Sequence, residues 1–310
     1  MRFSLMVGIA ALCVQPAAAN DQWYPSKYGA KDTIGAANNL SEAATLRAAR
    51  LVKSGKTYAL GVVTAPDSPA YPPRSYRIVV TPIGEGGGAP MGANQVTGHD
   101  DVLMSFIGIG SQIDGFAHVG INNHYYNGVH ARDFYATDGV TKFGTENIPP
   151  TATRGILLDM TKHYGTPVVP AGTAFNQEAI DAAAKTAGVT IGTGDVVLFH
   201  TGWMETAKSD PKGYIEKQPG LGKQGAEYLA SLGVVMIGSD TAGLEAIPFE
   251  DPTMPFIVHQ TLLTKHGVYI LEALNTAELA ADGATEFLFV LGQARLKGSV
   301  QAVINPIAIR

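Results

Sequence analysis

The run DVVLFH, Asp195 to His200, decides what kind of sheet this chain builds. Its consecutive apolar residues Val196 to Phe199 leave no position free to face water, as expected of a strand whose two faces are both covered. The same pattern recurs in GILLDM from Gly155, GVVMIGSD from Gly233, GVYILEAL from Gly267 and EFLFVLGQARL from Glu286, several of them separated by helical segments. Upstream of residue 110 the strand signals are short and mixed, as in TYALGVVT from Thr57 and YRIVVTPI from Tyr76, which suits half-exposed antiparallel pairing. The pattern predicts a single α/β domain with a mixed β-sheet and packed helices.

Helix signals frame those strands. NLSEAATLRAARLVKSG offers Asn39 or Ser41 as an N-cap, Leu46 and Leu51 as an apolar side, and Gly55 as a stop. NQEAIDAAAKTAGV repeats the arrangement from Asn176 to Gly188, and a third helix is expected from near Gly222 to Gly233. The glycine-rich GEGGGAP, Gly84 to Pro90, has neither a following Lys-Ser/Thr nor a helix start, so it reads as a hairpin or loop rather than a phosphate cradle.

Residues 1–19 stand apart. A basic start at Arg2, an apolar stretch from Phe3 to Val14 and small residues before Asn20 have the form of a secretory signal peptide cleaved after Ala19, leaving residues 20–310 as the mature domain. The expected location is therefore periplasmic or secreted. A spanning helix needs about 20 apolar residues, more than this run supplies, so no membrane association is expected. Cys13, the only cysteine, falls in that leader, which removes disulfides, cysteine-zinc sites and a thiol nucleophile from consideration. A net charge of -5 and the lack of a Lys/Arg cluster argue against nucleic acid as a partner.

In sheets of this kind chemistry gathers where strands end. Asp159, His200 with Thr201, Asp240 and Glu272 end apolar runs and mark one sheet edge as a candidate site. Among the eight histidines, two come with ligand-capable neighbours. In GSQIDGFAHVG, Gln112 and Asp114 at i and i+2 of a strand point to one face, and His118 follows a glycine turn. In the C-terminal third, HQTLL starts a helix that leads into GVYILEAL, so His259 can fold back beside Glu272. Tyr125, Tyr126, His200 and Trp203 are candidates for walls of a substrate pocket. A Ser-His-Asp hydrolase is disfavoured because no GxSxG elbow occurs.

These motifs resemble the cyclase family of metal-dependent hydrolases, which includes bacterial kynurenine formamidase and isatin hydrolase. The family motif His-x3-His-x-Asp-x3-His aligns with Gly108, Gln112, Asp114 and His118, and further similarity lies in DDVL, YYNG, RGILLDM, GDVVLFHTGW, GSDTAGLE and the closing EFLF…NPIAIR. The resemblance implies a swivelling β/α/β fold, metal binding by Asp114 with His259 and Glu272, and an acid/base role for His118. Gly108 and Gln112 depart from the two motif histidines; Gln112 resembles a branch of the family with TQ-x-D in place of TH-x-D. With glycine at one ligand position, one ion is expected at most. A ligand set of Gln112, Asp114, His259 and Glu272, rich in oxygen, favours manganese over zinc or magnesium.

The implied reaction is hydrolysis of a C–N bond in a small amide, lactam or formamide by water that the ion activates, with His118 moving the proton. The resemblance also implies a homo-oligomer, dimer or tetramer. Two alternatives stay open: a periplasmic small-molecule-binding protein that keeps the pocket with reduced catalysis, and a metal-dependent lyase or cyclase.

Overall fold

The computed structural model describes residues 22–82 and 88–310, so the leader and most of the glycine-rich stretch after Pro82 lie outside the described residues. The apolar runs form the centre of a nine-stranded mixed sheet. Its strands in chain order are β1 (Thr57–Ala59), β2 (Gln112–Asp114), β3 (Thr151–Asp159), β4 (Val196–His200), β5 (Met236–Ser239), β6 (Tyr269–Glu272), β7 (Glu286–Leu291), β8 (Gln301–Val303) and β9 (Ile307–Ile309). Across the sheet they lie in the order β1-β9-β7-β3-β4-β5-β6-β2-β8. The central strands β3 to β6 are parallel to one another, and all the outer pairings are antiparallel.

Burial follows this order. Val196, Val197, Leu198 and Phe199 on β4 are fully buried, as the continuous run predicts for a strand covered on both faces. β7 differs: its burial alternates along the strand, with Phe287, Phe289 and Leu291 buried and the residues between them only half so. EFLF therefore belongs to the antiparallel flank, where one face is incompletely covered, and not to the doubly covered centre. Of TYALGVVT only Thr57–Ala59 is strand; the following Gly61 to Val63 leaves the sheet and lines a cavity.

Helix α1 (Glu42–Ala49) starts at Ser41, whose hydroxyl accepts the Ala44 N–H, and α1 packs on β3. Its buried side is Ala44 and Ala48, one turn apart, so Leu46 faces outward at 64% exposure instead of forming the apolar side. Helix α2 (Gln177–Ala187) ends at Gly188, which adopts the left-handed conformation that glycine permits at a C-cap. Helix α3 (Lys223–Ser231) begins after Gly222 as expected and packs on α2. A separate antiparallel hairpin, Tyr76–Pro82 with His99–Ser105, leads into the site. Among the described residues no helix is long and apolar enough to cross a membrane.

Candidate metal centre

Sheet register builds the site. β2 lies between β6 and β8, pairing antiparallel with both, so that Gln112 stands opposite Glu272 and Asp114 stands opposite Gln301. Gln112 and Asp114, two apart, share a face, and directly opposed residues on neighbouring strands also share one. Four polar side chains thus converge at one place, all of them buried. Among a core of leucine, isoleucine and phenylalanine such a cluster is costly unless each group finds a partner.

The partners can be counted. The Gln112 amide nitrogen donates to Glu272 Oε2 at 2.8 Å and, at a longer 3.3 Å, to Asp114 Oδ1. Gln301 donates to the same Oδ1 at 2.7 Å. Asp114 Oδ2 is left buried with no hydrogen-bond partner. Rotating the Gln112 amide by 180° would exchange its nitrogen for its oxygen, so the residue can serve as donor to the carboxylates or as an oxygen ligand.

His259 closes the cluster from above the sheet. It ends a short helix, Ile257–His259, that continues as the π-helical turn Gln260–His266 and feeds β6. π-Turns are uncommon and concentrate at functional sites. The ring lies between two carboxylates: Nδ1 is 2.6 Å from Glu245 Oε1, and Nε2 is 3.0 Å from Glu272 Oε1 and 3.7 Å from Asp114 Oδ2. Glu245 also accepts the backbone N–H groups of His259 and Val258, which fixes it in place. Burial pulls the His259 pKa down, but the bonds and charges of Glu245 and Glu272 outweigh it and hold the ring well above its usual value. For Glu272, burial and the Asp114 charge push the carboxyl up to about 7 against the opposing pull of His259.

This arrangement fits a divalent cation. Asp114, His259 and Glu272 each offer one ligand atom, and the three atoms lie within 4.8 Å of one another. The Asp114 Oδ2, buried and without a hydrogen-bond partner, is an oxygen such an ion could satisfy. Burial first and the neighbouring Asp114 charge second raise the Glu272 carboxyl, a strain that a cation between the two carboxylates would relieve.

His118 stands at the rim. After β2 the chain turns at Gly115, whose carbonyl accepts the His118 N–H, and the ring comes back so that Nε2 is 3.9 Å from Asp114 Oδ2. Its side chain keeps 23% exposure, so it faces both the cluster and solvent. Burial lowers its pKa, partly offset by Asp114, which leaves the imidazole neutral at pH 7 and able to accept a proton.

A cavity of about 410 Å³ opens beside the cluster and shares Gln112 with it. Tyr71, Arg74, Gly108 and Ala273 contribute to its wall. The Tyr71 hydroxyl is buried with no hydrogen-bond partner. A β-carbon placed on Gly243 would lie 3.7 Å from Glu272 Oε1 and 3.8 Å from Tyr71 Oη, so cavity and carboxylate cluster approach each other there.

The aromatic candidates for the pocket sit elsewhere. Tyr126 is fully buried in the main core, its ring against Phe116 and its hydroxyl donating to Asp32 at 2.6 Å, so it supports the loop rather than walling a cavity. Tyr125 is half-buried and packs edge-on against Phe134. Trp203 is buried one layer behind the cavity with Tyr214 and Ile215, its indole N–H on the Tyr214 carbonyl. His200 bonds Thr276 at 2.8 Å and lies 3.4 Å from Asp240, whose carboxylate also accepts the backbone N–H groups of Thr201 and Gly202. That knot ties the ends of β4 and β5 together and leaves His200 away from Asp114. Residue types in the sequence could not separate these structural roles from pocket roles. Glu245, Gln301, Tyr71 and Arg74 carry no signal in the sequence, because only the loop path and sheet register bring them in.

Comparison with known proteins bears on the family and the fold. Residues 58–246 match the family model described as "Putative cyclase". A solved structure described as a novel cyclase superposes with a TM-score of 0.82 at 27% identity, covering 92% of this chain and 98% of that one. Isatin hydrolase A from Labrenzia aggregata, bound to benzyl benzoate, gives 0.58 at 18% identity over 82% of this chain and 93% of its own. Isatin hydrolase A from Ralstonia solanacearum gives 0.61 at 14% identity over 82% and 92%. At such identities the last two show a shared fold. No curated protein matches the sequence.

Proposed function

The chain belongs to the cyclase family, and from that premise we propose that it is a metal-dependent hydrolase acting on the C–N bond of a small amide, cyclic amide or N-formyl compound. The observation that carries the reading is the buried, unpartnered Oδ2 of Asp114 within reach of His259 and Glu272. A carboxylate oxygen in that state costs several kcal/mol unless a cation or donor meets it, by the usual penalty for buried charge.

Asp114, His259 and Glu272 would hold one divalent ion, with the Gln112 oxygen as a further ligand once its amide is turned. Three oxygens and one nitrogen favour manganese over zinc or magnesium. When bound, the ion supplies Lewis acidity that polarises a carbonyl at the transition state.

The remaining work falls to the chain itself. Glu245 accepts the Nδ1 proton of His259 and so leaves Nε2 directed at the cluster, the usual way a carboxylate fixes a ligand's tautomer. His118, neutral at pH 7, accepts the proton of the attacking water and returns it to the departing nitrogen. Tyr71 lines the cavity, and its buried hydroxyl is left with no hydrogen-bond partner there.

The test is a panel of small amides, lactams and formanilides turned over by the manganese-loaded protein in H2 18-O. Hydrolysis places one solvent oxygen in the acid product. Ring formation or elimination without that oxygen would replace the hydrolase reading with a lyase or cyclase.

A further inference from the structure

We propose that Arg74 is the anion-binding residue of the cavity and that the compound taken there carries a carboxylate. This deepens the reading above and rests on it for the identity of the site.

Arg74 occupies space that a side chain at position 108 would need. A β-carbon on Gly108 would lie 2.6 Å from Arg74 Nη1 and 2.8 Å from Cζ. The guanidinium is pinned there by an Nη1 hydrogen bond of 2.5 Å to the Gly108 carbonyl, and it lies 5.6 Å from the centre of the Tyr71 ring. A ligand-bearing side chain at 108 and a guanidinium at this place exclude one another. The sequence has glycine, and the cation is there.

That cation has donors to spare. The guanidinium has five N–H donors, of which the Gly108 carbonyl takes one. Among the described residues Arg74 forms no ion pair, and Glu272, which feels its charge, spends its oxygens on Gln112 and His259. Arg74 lines the same cavity as Gln112 and Tyr71, whose hydroxyl has no hydrogen-bond partner. A forked donor set, backed by an aromatic ring and facing an open cavity, matches a carboxylate with two parallel N–H···O bonds. A neutral amide offers a single oxygen and leaves the fork half used.

The experiment is calorimetric titration of benzoate and of its neutral isostere benzamide into wild type, Arg74→Ala and Arg74→Lys, each with and without manganese. Metal content and melting temperature are measured on every sample. Benzoate should bind wild type saturably, and Arg74→Ala should weaken it by at least about tenfold, the scale of one charge-assisted bond, with manganese content unchanged. Arg74→Lys keeps the charge without the fork and should fall between. Benzamide affinity should ignore the residue. Absence of saturable benzoate binding in wild type, or equal benzoate affinity in folded Arg74→Ala, overturns the inference.

The two readings fail separately. A chain that takes up no divalent ion removes the metal centre while Arg74-dependent benzoate binding to the metal-free protein stands. A chain that takes up one ion but binds benzoate without regard to Arg74 removes only the carboxylate.

Discussion

Glu245→Gln is the perturbation that tests most finely how the metal centre is held. Glu245 is 2% exposed and spends both oxygens on the His259 segment: Oε1 lies 2.6 Å from Nδ1 and 3.2 Å from the His259 nitrogen, and Oε2 lies 3.3 Å from the Val258 nitrogen. The glutamine is isosteric, so the ring keeps an oxygen acceptor, but the charge is gone and one oxygen becomes a donor facing the Val258 N–H. A bond to a charged group is worth about 1.5–3 kcal/mol and a neutral one about 0.5–1.5, so roughly 1–2 kcal/mol of orientation and basicity is lost at His259. At 1.36 kcal/mol per tenfold that corresponds to about 5- to 30-fold in metal affinity, overlapping the lower part of the about 10- to 100-fold seen for outer partners of metal-bound histidines. Competition against a chelating dye measures the affinity. Proton NMR of the metal-free protein measures the His259 pKa, which should fall because Glu245 is among the groups that raise it. An affinity within twofold of wild type, together with an unmoved His259 titration, would refute the idea that Glu245 sets the ligand's tautomer.

Further outcomes follow from the same geometry. His118→Asn should reduce kcat by about 10²- to 10⁴-fold, the span of general acid–base catalysis, while manganese per chain stays unchanged; full activity in the variant would remove His118 from the proton path. Because the His118 pKa is lowered from 6.5, activity at saturating manganese should hold at pH 7 and decline only below pH 6.5, which a pH–rate profile reads directly. Metal affinity should rise with pH: His259 is held well above 6.5 and Glu272 up to about 7, so at pH 6 both carry protons that the ion must displace. Each displaced proton contributes about tenfold in apparent affinity per pH unit until its group has ionised, and an affinity flat between pH 6 and 8 would contradict the shifts. Gly155→Ala on β3 should destabilise the fold by about 1–3 kcal/mol in urea unfolding, the usual cost of overpacking. A β-carbon there would meet Phe287, itself fully buried, at 2.1 Å.

The parallel centre was legible in the sequence because Val196 to Phe199 and its counterparts admit no polar face, and the helices because Ser41 and Gly188 cap them as composition suggests. The convergence of Gln112, Asp114, His259 and Glu272 was partly legible: alternation along one strand joins the first two, and a short helix before β6 joins the second pair. What joins the pairs is the antiparallel placement of β2 beside β6, a long-range pairing that no local pattern encodes. Gln301 reaches Asp114 for the same reason. Glu245 lies in an irregular segment whose path alone brings it to His259, and Arg74 fills the space above Gly108 from a distant loop. For Tyr126 the sequence leaves wall and core open, because aromatic side chains suit both, and its full burial with the Asp32 bond decides for the core.

Metal stoichiometry bears most directly on the whole reading. The protein, prepared without chelator and equilibrated with manganese, is analysed for metal per chain alongside Asp114→Asn and Glu272→Gln, with circular dichroism to confirm that each variant folds. One ion per wild-type chain and near-complete loss in both folded variants is the expected result. A wild-type chain that stays empty, or variants that retain the ion in full, would contradict the assignment of Asp114, His259 and Glu272 as a metal centre.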